Sequence, residues 1–336
     1  MATADARSQA GGSIGNVYRM TVHDATAPLV TVVIPAFNAA PTIRRAVNSV
    51  LRQTCDNYEI VVVDDGSHDA TAEIIASEYG DQVRLLRLPG NRGESAATNE
   101  GIAAAKGELI AFLDADDEWL PDKLARQVAL LQGNADTVAV SCGCRFLDSH
   151  GNVVREFGLP PPELDRQAAW QLLLARSFIA KPCVVARRST LLEAGLFNTN
   201  LVIAEDQDMW IRLALTGSPA YVAESLVCVY GQPDNLSSLA PAEQHAHVLP
   251  MIERHLARLS GRLTRSEARR IMGERLSSMG LNACAHGDLR HGLAMMLRSA
   301  LLGYRPLHSL LLVAKTSVWA SVKGAFPARQ FRRKAL

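Results

Sequence analysis

The chain predicts an α/β protein with a mostly parallel, doubly wound sheet flanked by helices and a helical C-terminal extension. Three apolar runs each end abruptly in polar residues: Thr31 to Ile34, Ile60 to Val63 and Leu109 to Leu113. Helix-period patterns follow the first two. After Ser238 the pattern turns helical and carries no comparable polar clusters.

The first run, TVVIPAFN, spans Thr31 to Asn38 and leads into a helix with Pro41 near its start and Ile43, Ala46, Val47, Val50 and Leu51 on one face. The second, YEIVVVDDGSHDAT, stops at Asp64 and Asp65. Gly66 and Ser67 then make a turn, and Asp69 or Ser67 can cap a helix running to about Tyr79. The third, GELIAFLDADDEW, ends in Asp114, Asp116 and Asp117, with a helix expected from about Pro121. Alternation of strand and helix implies parallel pairing through right-handed crossovers. Further on, VAVSCGCRFLD and VVREF read as strands joined by a Ser-His-Gly-Asn turn, and LPPPELD leads into a helix from about Leu164 to Arg176.

In parallel sheets of this kind ligands bind at the carboxyl ends of the strands. The residues collected there are Pro35 to Asn38, Asp64, Asp65, Asp114 and Asp116, acceptors suited to a base, a ribose and a metal. Three carboxylates within four residues repel one another unless they are solvated or a hard cation neutralises them, and Mg2+ or Mn2+ with a substrate diphosphate does so. An acidic loop capping the next helix would give a similar pattern.

The segments VVIPAFNAAPTIRRAVNSVLRQT, YEIVVVDDGSHDAT, NRGESAATNEGIAAAKGELIAFLDADDEWLPDKL and AEDQDMWIRLALTG, in this order, resemble the successive motifs of the family 2 glycosyltransferases, inverting enzymes with the GT-A fold. The resemblance runs from about Pro28 to Ser238. It implies that Pro35, Ala36, Asn38, Asp64 and Asp65 hold the uracil and ribose of a nucleotide-sugar donor, with Asp65 on the base edge. Asn91, Arg92 and Gly93 match a turn over the nucleotide, where Arg92 either helps neutralise phosphate or stays a solvated loop arginine. The family's Asp-x-Asp maps to Asp114, near ribose and sugar, and Asp116, the ligand of a divalent metal (Mg2+ or Mn2+). Inverting transfer is one in-line displacement and needs a base to take the acceptor's proton. The resemblance assigns this base to Asp206, with Glu205 and Trp210 on the acceptor side. For Trp210, packing into the core is the preferred reading over packing on a sugar face, and Asp208 reads as a first-turn residue favoured by the helix dipole. The stretch from Val138 to Arg188 would face the acceptor, and Lys181 is either part of that surface or a solvated charge.

With 336 residues, 48% hydrophobic content and net charge +1, the chain can bury a large core and is not a nucleic-acid binder by bulk charge. Its six cysteines show no paired or zinc-finger spacing; Cys142 and Cys144 alternate on one side of a strand, and this usage suits a reducing compartment. Residues 1–27 lack an apolar signal segment and read as a disordered arm, so the sequon at Asn235 is taken as chance and the location as cytoplasmic. The domains expected are this arm, a catalytic domain over 28–238 and a helical, basic region over 239–336.

From Leu289 to Leu336 there are nine Lys or Arg and no Asp or Glu, interleaved with apolar runs shorter than the roughly 20 residues of a membrane span. Such a basic amphipathic segment fits an anionic membrane surface, placing the chain on the inner face of the cytoplasmic membrane; a soluble helical subdomain with a solvated basic face is the alternative. The donor expected is a UDP-sugar, with a dTDP-sugar next, and the acceptor a glycan or lipid-linked sugar in cell-surface polysaccharide assembly. An aspartyl-phosphate phosphatase also uses Asp-x-Asp, but would want the first aspartate as nucleophile after the leading strand and would leave VVVDDGS and AEDQDMW unexplained. A sugar nucleotidyltransferase would want a Gly-rich basic loop where PAFNAAP stands, and a non-catalytic nucleotide-sugar binding protein would not need Asp206.

Overall fold

The computed structural model describes residues 28–148, 150–158, 169–231 and 239–305. The arm 1–27, the Pro-rich loop with the first residues of its helix, the sequon and the segment after Arg305 lie outside them.

Four strands, β1 (Val30–Ala36), β2 (Tyr58–Asp64), β3 (Arg84–Arg87) and β4 (Leu109–Phe112), pair in parallel in the order β3-β2-β1-β4. Helices α1 (Ile43–Leu51), α2 (Thr71–Glu78) and α3 (Glu94–Ala104) make the crossovers. β1 and β4 are continuous apolar runs because both faces are covered. Val30, Val32 and Ile34 face one apolar cluster with Ile43, Val47 and Val50 of α1, whereas Val33 faces another with Ile110 and Phe112. Gly101 lets α3 lie on the sheet: a Cβ there would sit 2.4 Å from Val33 Cγ1.

The chain moves outward from β1 through β2 to β3, then returns to β4 on the other side of β1. That reversal opens a crevice at the carboxyl ends of β1 and β4. Pairing of β1 with β4 stops at Val33 and Phe112, with a last bond from Leu113 N to Val33 O. Pro35 therefore sits inside a central strand without removing a ladder bond, since its missing N–H would point into the gap.

Beyond β4 the plan becomes mixed. β5 (Glu118–Trp119), β6 (Thr137–Leu147), β7 (Val153–Phe157), β8 (Val184–Arg187) and β9 (Ser218–Tyr230) extend the sheet in the order β4-β8-β6-β9-β5, with β7 on β6. β8 runs antiparallel to both β4 and β6, while β9 is parallel to β6. Helices α4 (Lys123–Gly133), α5 (Ala169–Ala175), α6 (Arg188–Glu193) and α7 (Glu205–Thr216) pack around this half.

The extension consists of α8 (Pro241–Arg258), α9 (Arg265–Ala285) and α10 (Leu289–Leu301). Met251, Ile252, Leu259, Leu263 and Ile271 join the cluster that contains Phe112 and Trp210, so these helices share the core of the sheet. Among the described residues no helix is long and apolar enough to cross a membrane.

Candidate active site

The crevice is lined first by loops stitched together through the residues that the sequence singled out. Asn38, in the left-handed region at φ 50°, donates from its N to Ser67 Oγ (2.9 Å), and its Oδ1 accepts from His68 N (2.9 Å). Asp64 is fully buried; its Oδ1 accepts from Ser67 N (3.0 Å), and Arg87 Nε lies 3.4 Å from its Oδ2. Neither Asp69 nor Ser67 caps α2, whose N-cap is Ala70 without a side-chain cap bond; Asp69 instead accepts from Thr71 N and holds Ala40 N.

Asp65, expected on the base edge, has a different first task. Its two oxygens accept from Arg92 N and Gly93 N, each at 2.8 Å, which fastens the Asn91–Gly93 turn. Asn91 Oδ1 also accepts from Gly93 N. Gly66 (φ 74°) allows this close approach, because a Cβ on it would lie 2.6 Å from Gly90 Cα. The Arg92 side chain points along α3 and pairs with Glu100 Oε1 at 2.9 Å, the solvated alternative of the two. Pro35 and Ala36 end β1 beside this loop, and Ala36 O accepts from Asp65 N. The exposed ring of Phe37 stands at the mouth, edge-on to His68.

At the end of β4 the carboxylate loop is clamped from two sides. Asp117 N donates to Asp114 O, and Asp117 Oδ1 accepts from Tyr230 N at the end of β9. Arg45 of α1 donates to the Asp116 backbone carbonyl and stacks its guanidinium 3.7 Å above the centre of the Tyr230 ring. None of these aspartates caps α4. Its N-cap is Asp122, without a side-chain cap bond, and β5 intervenes. The capping explanation of the acidic cluster therefore fails, and the cost of holding these charges together remains. Burial first, then the charges of Asp117, Asp116, Glu205 and Asp206, push the Asp114 carboxyl well above its ordinary range; burial and Asp116 do the same to Asp117.

The cation that balances part of this charge is Lys181. Because β8 is antiparallel to β4, the turn Lys181–Cys183 before β8 is brought to the carboxyl end of β4. Lys181 is only 4% exposed, pairs with Glu94 of α3 and lies 2.8 Å from Asp114 Oδ1. Burial lowers its pKa to about 8, opposed by Glu205 and Asp206. A solvated lysine is thus excluded. It is the single charged residue in the apolar stretch SFIAKPCVVA, and that isolation was the available signal.

Glu205 and Asp206 begin α7, presented by Ala204, whose φ of 63° is costly for a residue with a Cβ. Burial and the neighbouring Glu205 charge raise the Asp206 pKa to about 7, while Gln207 N, 2.6 Å from its Oδ1, and Lys181 work against them. Burial likewise raises Glu205, and Lys181 lowers it.

Two expectations need correction. Trp210 is 3% exposed and stacked among Phe112 and Phe197, with ring centres at 5.8 and 5.9 Å, so it belongs to the core and its faces are not open to an acceptor. Asp208 is more than a first-turn carboxylate. It is buried, bridges Arg212 (2.7 Å) and His255 of α8 (2.8 Å), and is titrated below its ordinary range by these partners although burial alone would raise it.

Among the described residues no three carboxylate, His or Cys side chains converge to hold an ion unaided. The donors present at the end of β4 are hard carboxylate oxygens whose mutual repulsion a divalent cation would relieve. Asp116 and Asp114 fit Mg2+ or Mn2+ when a diphosphate completes the ligand set.

The crevice is thus a parallel-sheet switch point with an acidic strand end and, beside it, an Asp206 carboxyl held near neutrality. Residues 31–191, just under half of the chain, match the family described as Glycosyl transferase family 2. It is 35% identical over 207 residues to an uncharacterized glycosyltransferase of Rickettsia felis, covering 60% of this chain and 33% of that one. To the succinoglycan biosynthesis protein ExoO of Rhizobium meliloti it is 45% identical over 113 residues, 34% of this chain and 32% of the relative. The chain thus spans only about a third of the length of these relatives. The S. aureus TarS 1–349 structure in complex with UDP-GlcNAc superimposes with TM-score 0.62 at 19% identity, covering 81% of each chain. The mannosyltransferase PcManGT from Pyrobaculum calidifontis, in complex with GDP-Man and Mn2+, gives 0.57 at 22% identity over 88% of this chain and 81% of that one. The fold is GT-A.

Proposed function

We propose that the chain is an inverting glycosyltransferase that moves a sugar from a pyrimidine nucleotide diphosphate, a UDP-sugar first and a dTDP-sugar next, to a glycan or lipid-linked acceptor in polysaccharide assembly. The observation that carries this reading is the Asp206 carboxyl at the start of α7, held at about 7 inside an acidic crevice that opens at the sheet's switch point. A base works best when its pKa lies near the operating pH, and this carboxyl meets that condition.

In the proposed reaction the acceptor hydroxyl gives its proton to Asp206 as its oxygen bonds to the anomeric carbon. On the opposite face the bond from that carbon to the diphosphate breaks, and the nucleoside diphosphate leaves. Asp206 is positioned by the bond from Gln207 N and by the N-terminal turn of α7. The nucleotide pocket consists of Pro35, Ala36, Asn38, Asp64, Asp65 and the Asn91–Gly93 turn, with the open ring of Phe37 available to stack on a base. A divalent ion on Asp116 and Asp114 would supply charge neutralisation for the departing diphosphate. Lys181 keeps Asp114 and Glu94 in place beside it. Glu205 is the acceptor-side candidate.

ExoO's role in succinoglycan biosynthesis supports a polysaccharide setting, and the nucleotide sugars bound by TarS and PcManGT support the donor class. The basic run after Leu289 supports a peripheral position on the inner face of the cytoplasmic membrane. The test is turnover of a nucleotide-sugar panel with and without Mn2+. Release of nucleoside diphosphate supports transfer, and release of pyrophosphate, or no release, overturns it.

A further inference from the structure

The α9–α10 hairpin ends in a cavity of about 690 Å3 that has no part in the chemistry above. Four guanidinium groups surround it: Arg265, Arg269 and Arg270 on α9, and Arg305 after α10. Its wall is tightly built. Tyr304 packs against Gly273, where a Cβ would lie 2.4 Å from the Tyr304 Cβ, and Ser299 Oγ donates to Gly273 O at 2.6 Å.

Two carboxylates stand near the four arginines, Glu274 in the cavity wall and Glu267, which feels the Arg270 charge, and they leave the cavity net positive. Glu267 is engaged with Thr264 in the capping box that starts α9. Glu274 faces Arg176, 3.9 Å away. None of the four arginines forms a salt bridge among the described residues, and Arg269 donates only a long bond to Leu301 O (3.5 Å). Like charges at one cavity are unfavourable unless an anion meets them. Guanidinium forks match phosphate oxygens in pairs.

An apolar surface adjoins the charge. Leu297 and Leu301, one turn apart on α10, are 45% and 81% exposed. From Leu289 to Arg305 the chain has no Asp or Glu. Cations beside open leucines fit the boundary between phosphate headgroups and acyl chains, whereas a free phosphate would make no use of the leucines. We infer that this arginine cavity, together with Leu297 and Leu301, docks the chain on a membrane through the phosphate of anionic phospholipid headgroups.

The inference rests on the membrane reading given above but not on its basic tail: deleting 306–336 tests the tail, and substituting the cavity tests the cavity. The experiment is co-sedimentation of the full chain with phosphatidylglycerol vesicles, with phosphatidylcholine vesicles as the neutral control. At about 1 kcal/mol per basic residue near an anionic surface, R269Q/R270Q should weaken binding about thirtyfold. L297S/L301S should weaken it as well, with both variants melting like the parent. Unchanged binding in R269Q/R270Q overturns the inference, as does equal binding to phosphatidylcholine. Unchanged binding in L297S/L301S, with inorganic phosphate alone raising the melting temperature, overturns it in favour of a soluble anion.

Discussion

Replacing Asp206 by Asn should move activity and stability in opposite directions. The folded protein holds this carboxyl at about 7 against an ordinary 3.8, mainly through burial and the Glu205 charge. Because the folded pKa is the higher one, the protein takes up a proton on folding between about pH 4 and 7, and stability falls as pH rises through that window. The penalty is absent below about pH 4 and complete above 7. At 1.36 kcal/mol per unit it amounts to at most about 4 kcal/mol, part of which belongs jointly to Glu205. Asn keeps the shape and an oxygen for Gln207 N but carries no charge. With about 2 cal/mol/K of unfolding entropy per residue over roughly 300 residues, D206N should melt up to about 6 °C higher at pH 8 and no differently at pH 4. Transfer should fall by about a hundredfold or more, with donor affinity within a few-fold and the acid limb of the pH profile gone. Melting curves at the two pH values and a nucleoside-diphosphate release assay read both effects. An equal melting shift at both pH values, or transfer above about a tenth of the parent's, would refute the reasoning.

Other substitutions separate the remaining roles. Asp208→Asn should cost about 2 to 4 kcal/mol by leaving the buried Arg212 and His255 incompletely paired; since the folded pKa is lowered, this difference is present above about pH 4 and shrinks as pH falls further, and equal melting at pH 7 would contradict it. Lys181→Met removes the cation that lowers Asp206, so the acid limb should move to higher pH; an unmoved limb would detach Lys181 from the base. Asp116→Ala should abolish calorimetric Mn2+ binding in the presence of nucleoside diphosphate, and full activity of the parent in EDTA would dismiss the metal altogether. Deleting Pro306 to Leu336 should reduce salt-sensitive binding to anionic vesicles while sparing donor hydrolysis, and equal binding would reject a role for the tail.

The parallel half was legible because its signals are local. Continuous β-branched runs ending in Asp64–Asp65 and Asp114 announce buried strands and their functional ends, and α1 buries the face its spacing predicts. The hairpin of β6 and β7 was equally plain. β3, four residues with both ends exposed, carried no apolar run, and α3 is built of small residues that give hardly any one-sided pattern. β8 and β9 were invisible as partners, since antiparallel insertion of β8 between β4 and β6 depends on contacts far apart in sequence. The same distance hid Lys181, Arg45 and the Asp208–His255 bridge, each of which acquires meaning only from an element it meets in space.

This division also explains how the chain tolerates its charges. The parallel half alone would present Asp114, Asp116 and Asp117 at one strand end with Arg45 bound to a backbone carbonyl rather than to a carboxylate. The mixed half supplies both what is missing and what is reactive. β8 brings Lys181 to Asp114, β9 ties Asp117 through Tyr230 N, and α7 adds Glu205 and Asp206. Burial first, and then the mutual repulsion of these carboxyls, holds Asp114, Asp117 and Asp206 above their ordinary pKa values, with Arg45 acting against it at Asp117 and Lys181 at Asp206. A nucleotide diphosphate would add to that repulsion by itself. A divalent cation cancels most of that added charge, so donor and metal should bind as a pair, each raising the affinity of the other by the same factor. Calorimetry of UDP with and without Mn2+ measures that factor, and equal affinities in the two titrations would remove the electrostatic basis of the proposal.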